Sequence, residues 1–290
     1  MIEAAGTLPV RRPASLATRL LRHRLFVAGA SVCTIVVAAA MFAGVIAQAD
    51  PNQMSILRRL RPPSGEIWFG TDAYGRDLFA RVLHGGRVSL AVGSSVAVAT
   101  ALLGTLVGAI AGFLRPLDGP LMRVMDALMA FPSVLLAIAI TAALGPSLAN
   151  VIVALAITYT PRTARVARAA VLVAMEQDYV QAARSYGCAG ARLLWSHVLP
   201  NCLAPLIVQV TFVFGYAVLA EAVLSFLGMG TPPPTPSWGG IVAEGRTLLR
   251  VAPWICLFPG LAIAAFVLGL NLLGDGLRDV LDPRMRVERE

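Results

Sequence analysis

The sequence predicts an all-α polytopic membrane protein with six transmembrane helices, and three observations carry that expectation. Of its 290 residues 57% are hydrophobic and 14% charged, with a mean hydropathy of +0.74. Apolar runs of about twenty residues, the length that crosses a bilayer as helix, recur along the chain. Arg residues gather at the ends of those runs, where orientation in a bilayer selects them, so the net charge of +8 calls for no nucleic acid.

The first run, Phe26 to Ala47, follows an Arg-rich leader holding Arg11, Arg12, Arg19, Arg22 and Arg24. The "AQA" before Asp50 resembles a signal-peptide cleavage site. The run is nevertheless longer than the roughly 7 to 15 residues of a signal core and long enough to span, so an uncleaved span is expected. The loop that follows ends in "GTDAYGRDLFARVLHGGR". Asp72 is a candidate N-cap and Gly85 with Gly86 a candidate stop; between them Leu78, Phe79, Val82 and Leu83 share one face, opposite Arg76, Asp77 and Arg81. That pattern predicts an amphipathic helix lying on the membrane surface.

Further spans are expected at Leu90 to Leu114, Val124 to Ala143, Leu148 to Ala170, Leu203 to Gly228 and Ile255 to Leu273. In the fourth, the apolar run stops near Thr160, and Arg162, Arg165 and Arg168 follow Pro161 on one stripe from which they can snorkel to an interface. Pro132 and Pro259 are expected to kink their spans, and Asp126 to anchor the third at its interface. The fifth loop, "MGTPPPTPSWGGIVAEGR", is too rich in Pro and Gly for regular structure and is expected to be an ordered loop.

With the N-terminus cytoplasmic, 16 Arg fall inside and 8 outside, which predicts both termini in the cytoplasm. The segment 178–201, "DYVQAARSYGCAGARLLWSHVLPN", then lies on the cytoplasmic side. It reads as helices at Tyr179 to Tyr186 and Arg192 to Val198, broken at Gly187 and Gly190 and ended by Pro200. Connectors between spans are usually a few residues, so a loop this long, with Ala182 and Ala183 allowing close approach, reads as a surface for a partner to grip.

All 24 basic residues are Arg. Without Lys the chain holds neither a Walker A loop nor a Schiff-base lysine, so uphill transport draws on a partner subunit or an ion gradient. No H-E-x-x-H or G-x-S-x-G motif occurs, and His23, His84 and His197 lie outside the expected spans, so no catalytic residue is assigned and an enzyme is not expected. Cys33, Cys188, Cys202 and Cys256 lack paired spacing and read as small core residues; no metal or cofactor is expected. Glu221 is the one acid well inside a span and reads either as a hydrogen bond to a neighbouring helix or as a polar lining near the outer gate. A gradient-driven secondary transporter is the rival class, but one acid and no repeated half give it little.

"QAARSYGCAGARLLWSHVLP" resembles the EAA loop of ABC importer membrane subunits: Ala182, Ala183, Gly187, Leu199 and Pro200 fall in register, Gln181 replaces the usual Glu, and His197 takes a position that is often His in the peptide branch. "GTDAYGRDLFARVLHGGRVSLAVG", "EAVLSFLGMGTPPPTPSWG" and "NLLGDGLRDVLDPR" narrow the resemblance to the second permease of dipeptide and oligopeptide importers. The resemblance implies the type I ABC importer transmembrane fold in a bacterial inner membrane. It also implies partners: a second permease, two ATP-binding subunits and an external substrate-binding protein. Residues 181–183, Gly187, His197, Leu199 and Pro200 would couple to an ATP-binding subunit. The implied substrate is a di- or oligopeptide, with nickel an alternative within the same branch. The implied organisation is a leader over 1–24, a first span over 25–47, an external loop over 48–86, a five-helix core over 87–276 and a cytoplasmic tail over 277–290.

Overall fold

The computed structural model describes residues 15–281. Arg11, Arg12 and residues 282–290 of the expected tail lie outside the described residues; residues 277–281 continue as helix. Twelve α-helices run in order among them: α1 Leu16–Arg22, α2 Arg24–Met41, α3 Ala43–Ile46, α4 Leu78–Phe113, α5 Arg115–Met129, α6 Ser133–Leu144, α7 Leu148–Met175, α8 Asp178–Ser185, α9 Gly190–Leu193, α10 Leu203–Phe226, α11 Trp238–Gly245 and α12 Trp254–Leu281. No strand forms among the described residues, as an all-α chain requires.

Four helical stretches are long and apolar enough to cross a membrane: Arg24–Met41, Leu78–Phe113, Gly190–Phe226 and Trp254–Leu281. α5 and α6 reach that length and apolarity only as a pair, bent by 89° at the break where Pro132 caps α6. The kink expected at Pro132 is a near right-angle break between two helices. The fourth expected span falls in α7, whose second half is made polar by Arg162, Arg165 and Arg168. Its 28 residues nonetheless run about 42 Å at 1.5 Å per residue, unbroken through Pro161.

α7 is held by close approach to α4. Gly104, Gly108 and Gly112 repeat at every fourth position of α4 and turn one face toward α7. A Cβ at Gly104 would stand 2.6 Å from Thr163 Cβ, and one at Gly112 would stand 2.9 Å from Val171 Cγ1. Small residues in this spacing let helix backbones meet in a bilayer, where no hydrophobic effect drives helices together. α2 meets α12 in the same way, Gly29 against the backbone of Leu273 and Gly276 against that of Phe26.

The surface helix expected between Asp72 and Gly85–Gly86 does not form. Asp77, not Asp72, is the N-cap, its carboxylate accepting from Ala80 N at 2.9 Å, and α4 runs on through both glycines. Gly85 and Gly86 serve contact rather than termination: a Cβ at Gly86 would lie 2.9 Å from the Trp238 ring. Arg76 and Arg81, expected on a solvated face, are buried. The fifth loop is corrected as well, since residues after Pro236 form α11, where the Ser237 hydroxyl accepts from Gly240 N at 3.1 Å.

Candidate functional site

The polar segment 178–201 folds as helix, turn and helix. α8 ends where Gly187 takes φ +85°, a left-handed conformation that costs glycine nothing, and Gly190 at φ +57° reopens the chain into α9. The second helix does not stop at Pro200. Residues 194–198 form a π turn and Leu199–Cys202 a 3-10 turn, which carry the helix past the proline into α10, so α9 and α10 form one continuous helical stretch, Gly190–Phe226. A wide π turn just before Pro200 gives the ring the room that an α-helical turn would deny it.

Val180, Leu193 and Val198 are fully buried against Val171 and Ala174 of α7, which fixes the segment to the body of the chain. Its outer surface is open: Ala182 and Gly187 are exposed, Tyr186 is 92% and Trp195 64% exposed. Ala183 packs partly into the chain's own core. Gln181 Nε2 donates to the Met175 carbonyl at 2.9 Å, closing the last turn of α7. An ionised Glu has no proton to donate there, so Gln at this position has a local structural reason. His197 Nδ1 lies 4.0 Å from Cys188 Sγ, Leu199 is half-buried, and Pro200 is exposed.

Glu221 is 1% exposed near the far end of α10. Ser225 Oγ donates to its Oε1 at 2.6 Å and Ser89 Oγ to its Oε2 at 2.9 Å, while Trp238 N donates to Ser89 Oγ at 3.3 Å. The acid therefore ties α10 to α4 and, through Ser89, to α11. It is enclosed by hydroxyls within this chain.

At the same end an ion network joins the loop before α4 to α11. Arg76 Nε and Arg81 Nη1 reach Asp72 Oδ2 at 2.6 and 2.7 Å, and their other nitrogens reach Glu244 Oε2 and Oε1 at 2.6 and 3.0 Å. Burial pushes the Glu244 carboxyl above the usual carboxylate range, and the neighbouring Arg76 offsets only part of that rise. Asp72 and Arg76 are paired at a local i,i+4 spacing, but Glu244 lies 168 and 163 residues from Arg76 and Arg81, and no local spacing joins it to them.

The arginine stripe of α7 divides. Arg168 pairs with Asp118 at 2.6 Å and Arg165 with Asp126 at 2.6 Å, both acids on α5, so Asp126 binds a neighbouring helix. Arg162 faces a cleft of about 410 Å³ between α7 and α10, lined also by Tyr159, Gln209 and Tyr216.

The long apolar helices and the glycine-packed helix pairs describe a polytopic membrane protein, and comparison with known proteins decides its family. Residues 104–287 match the binding-protein-dependent transport system inner membrane components, and residues 14–63 match the N-terminal TM domain of oligopeptide transport permease C. The chain belongs to this family. Its relatives include a Brucella abortus protein whose name is that of a peptide transport system permease, 57% identical over 94% of this chain and 92% of the relative. A di/tripeptide transport system permease protein of Pseudomonas aeruginosa is 47% identical over 87% and 86%. A dipeptide transport system permease protein of Alkalihalophilus pseudofirmus is 43% identical over 92% and 88%. The chain is thus an inner membrane permease with the type I importer transmembrane fold, and the exposed segment 178–201, the Glu221 knot and the α7–α10 cleft are the features of it that remain to be given a task.

Proposed function

We propose that this permease forms half of the pore of an ATP-driven importer for di- or oligopeptides and receives its power stroke through residues 178–201. Its partners in this reading are a second permease, two ATP-binding subunits and an external binding protein. Both termini face the cytoplasm, so α8 points inward and α11 outward. The peptide substrate rests on the names its relatives carry.

The observation that carries the reading is the construction of 178–201. Its inner side is anchored by Val180, Leu193 and Val198, its outer side presents Ala182, Tyr186 and Trp195, and its end continues into α10. A helix so placed can be gripped from outside the bilayer and can pass a displacement into a span. The chain has no Lys with which to hold ATP phosphates in a Walker A loop, so the energy enters through such a contact.

Ala182 is the better test position, because Ala183 also packs inside the chain and its enlargement would disturb the permease itself. Ala182→Arg, placed on the exposed face, is expected to leave insertion and folding intact while peptide uptake and substrate-stimulated ATP hydrolysis by the assembled complex both fall at least tenfold. Uptake still fully coupled to hydrolysis in Ala182→Arg would reduce the segment to a connector.

A further inference from the structure

The cleft between α7 and α10 holds a cation without a counter-ion. Three arginines share the α7 stripe, and two are neutralised by α5: Arg165 by Asp126 and Arg168 by Asp118. Arg162 makes no ion pair or hydrogen bond among the described residues, and no acidic side chain lines the cleft it faces. It stands about 21 Å along α7 from Leu148 at 1.5 Å per residue, within the span of a hydrocarbon core about 30 Å thick. A guanidinium at that depth is costly unless it faces water or an anion, and such residues mark the route of a substrate.

The rest of the lining fits a peptide's end. Gln209 offers both an amide donor and a carbonyl acceptor, and the Tyr159 hydroxyl is held by no stronger bond than one of 3.5 Å to the Tyr216 carbonyl. Tyr216 keeps 45% of its surface exposed as an aromatic wall. A volume of about 410 Å³ admits a short peptide segment. A fork of N–H donors matches a carboxylate and repels a divalent cation.

We infer that this cleft is a passage site for the transported peptide, in which Arg162 takes the C-terminal carboxylate. The inference rests on the peptide-permease reading and adds to it a contact inside the membrane, separate from whatever the binding protein recognises outside. The site is a weak one by design, open on one side, so that a peptide held by a single charge-assisted pair is released as the pore changes state.

The test uses proteoliposomes holding the complete complex, with the external binding protein saturated by a dipeptide or by the same dipeptide as its C-terminal amide. Arg162→Gln is expected to lower uptake of the free acid about tenfold relative to uptake of the amide, and Arg162→Lys, which keeps the charge, to restore most of the difference. A second readout places a benzophenone side chain at Phe212, in the lining of the cleft. It is expected to crosslink radiolabelled dipeptide during turnover with Arg162 present and to lose that product in Arg162→Gln. An equal fall for acid and amide would assign Arg162 to a contact with the second permease and overturn the inference. So would unchanged uptake, or crosslinking independent of Arg162. If the unaltered complex imports neither peptide, the peptide-permease reading fails as well; if it imports both and the ratio does not move, the inference fails alone.

Discussion

Gly108 is the tightest point in the α4–α7 seam, and enlarging it by one methyl group tests whether that seam holds the fold. A Cβ there would stand 2.5 Å from Ala167 Cβ and 2.8 Å from Arg168 N, against 3.4–4 Å for ordinary contact. The shortfall at Ala167 Cβ is about 0.9 Å, and the Ala164 carbonyl stands closer still. Two of the atoms it meets are backbone, the Ala164 carbonyl and Arg168 N, so no rotamer change relieves the clash and the helices must part by about that distance. Parting them also loosens the contacts of Gly104 and Gly112, four residues to either side. Overpacking of this kind costs about 1–3 kcal/mol. Alanine recovers up to about 1 kcal/mol of helix propensity, which leaves the sign destabilising. Gly260 in α12 is the control: nothing stands within 4 Å of its Cβ position, so Gly260→Ala should be neutral or slightly stabilising. Thermal unfolding in detergent is expected to place Gly108→Ala several degrees below the unaltered protein and Gly108→Leu well below that, with Gly260→Ala unmoved. Equal melting temperatures for Gly108→Ala and Gly260→Ala would refute the argument that close backbone approach sets this packing.

Glu221→Gln keeps the shape of the side chain and one accepting oxygen for Ser89 or Ser225. The assembled complex is expected to purify in normal yield with reduced peptide uptake, and unchanged uptake would leave Glu221 a hydrogen-bonding scaffold only. Arg81→Leu leaves Asp72 and Glu244 to share Arg76, and breaking a buried ion network costs about 3–5 kcal/mol. It should sharply lower the yield of folded permease, and a normal yield with an unshifted melting temperature would deny the network a structural role. Topology is read with single cysteines in a background free of the native four. An impermeant thiol reagent applied outside should label Thr235→Cys in the exposed Pro-rich stretch and spare Ser185→Cys in α8; the reverse pattern would invert the orientation. Ser237 is a poor reporter because it is 1% exposed.

The spans were legible because hydropathy over about twenty residues depends on composition alone, and α2, α4, α10 and α12 stand where the apolar runs stand. Where each helix ends was less legible. Gly85 and Gly86 read as a stop, yet they lie against Trp238 and Ser237, and a glycine needed for contact is indistinguishable in one sequence from a glycine needed for a turn. Pro200 read as a terminus, and the adjoining π and 3-10 turns absorb it. The proline-rich loop hid α11, although Ser237 as N-cap after the last proline was a signal that could have found it. The repeat Gly104, Gly108, Gly112 was open to inspection as small residues at every fourth position of an apolar helix. The pairings of Glu221 with Ser89 and of Glu244 with Arg76 and Arg81 span 132 to 168 residues, and only the packing of α4, α10 and α11 brings them together.

These long-range pairings limit how the proposed power stroke can travel. α10 is joined at one end to the exposed segment by a continuous helix. At the other end it is joined to α4 and α11 by the Glu221 hydroxyl cluster. α4 is in turn packed against α7 at backbone-to-backbone range through Gly104, Gly108 and Gly112. A displacement of α8 therefore cannot slide α10 alone past its neighbours without unpairing a buried carboxylate, which costs several kcal/mol. A motion that spares these buried partners carries α4, α7, α10 and α11 together with α12, whose Ile255, Phe266 and Leu270 pack in one core with Leu78, Val218 and Trp238. The softest joints available to it are the 89° break between α5 and α6 and the π turn ahead of Pro200. In that motion Arg162, carried on α7, and Tyr216, carried on α10, move together, so the cleft between them keeps its shape and changes only the side from which it is reached.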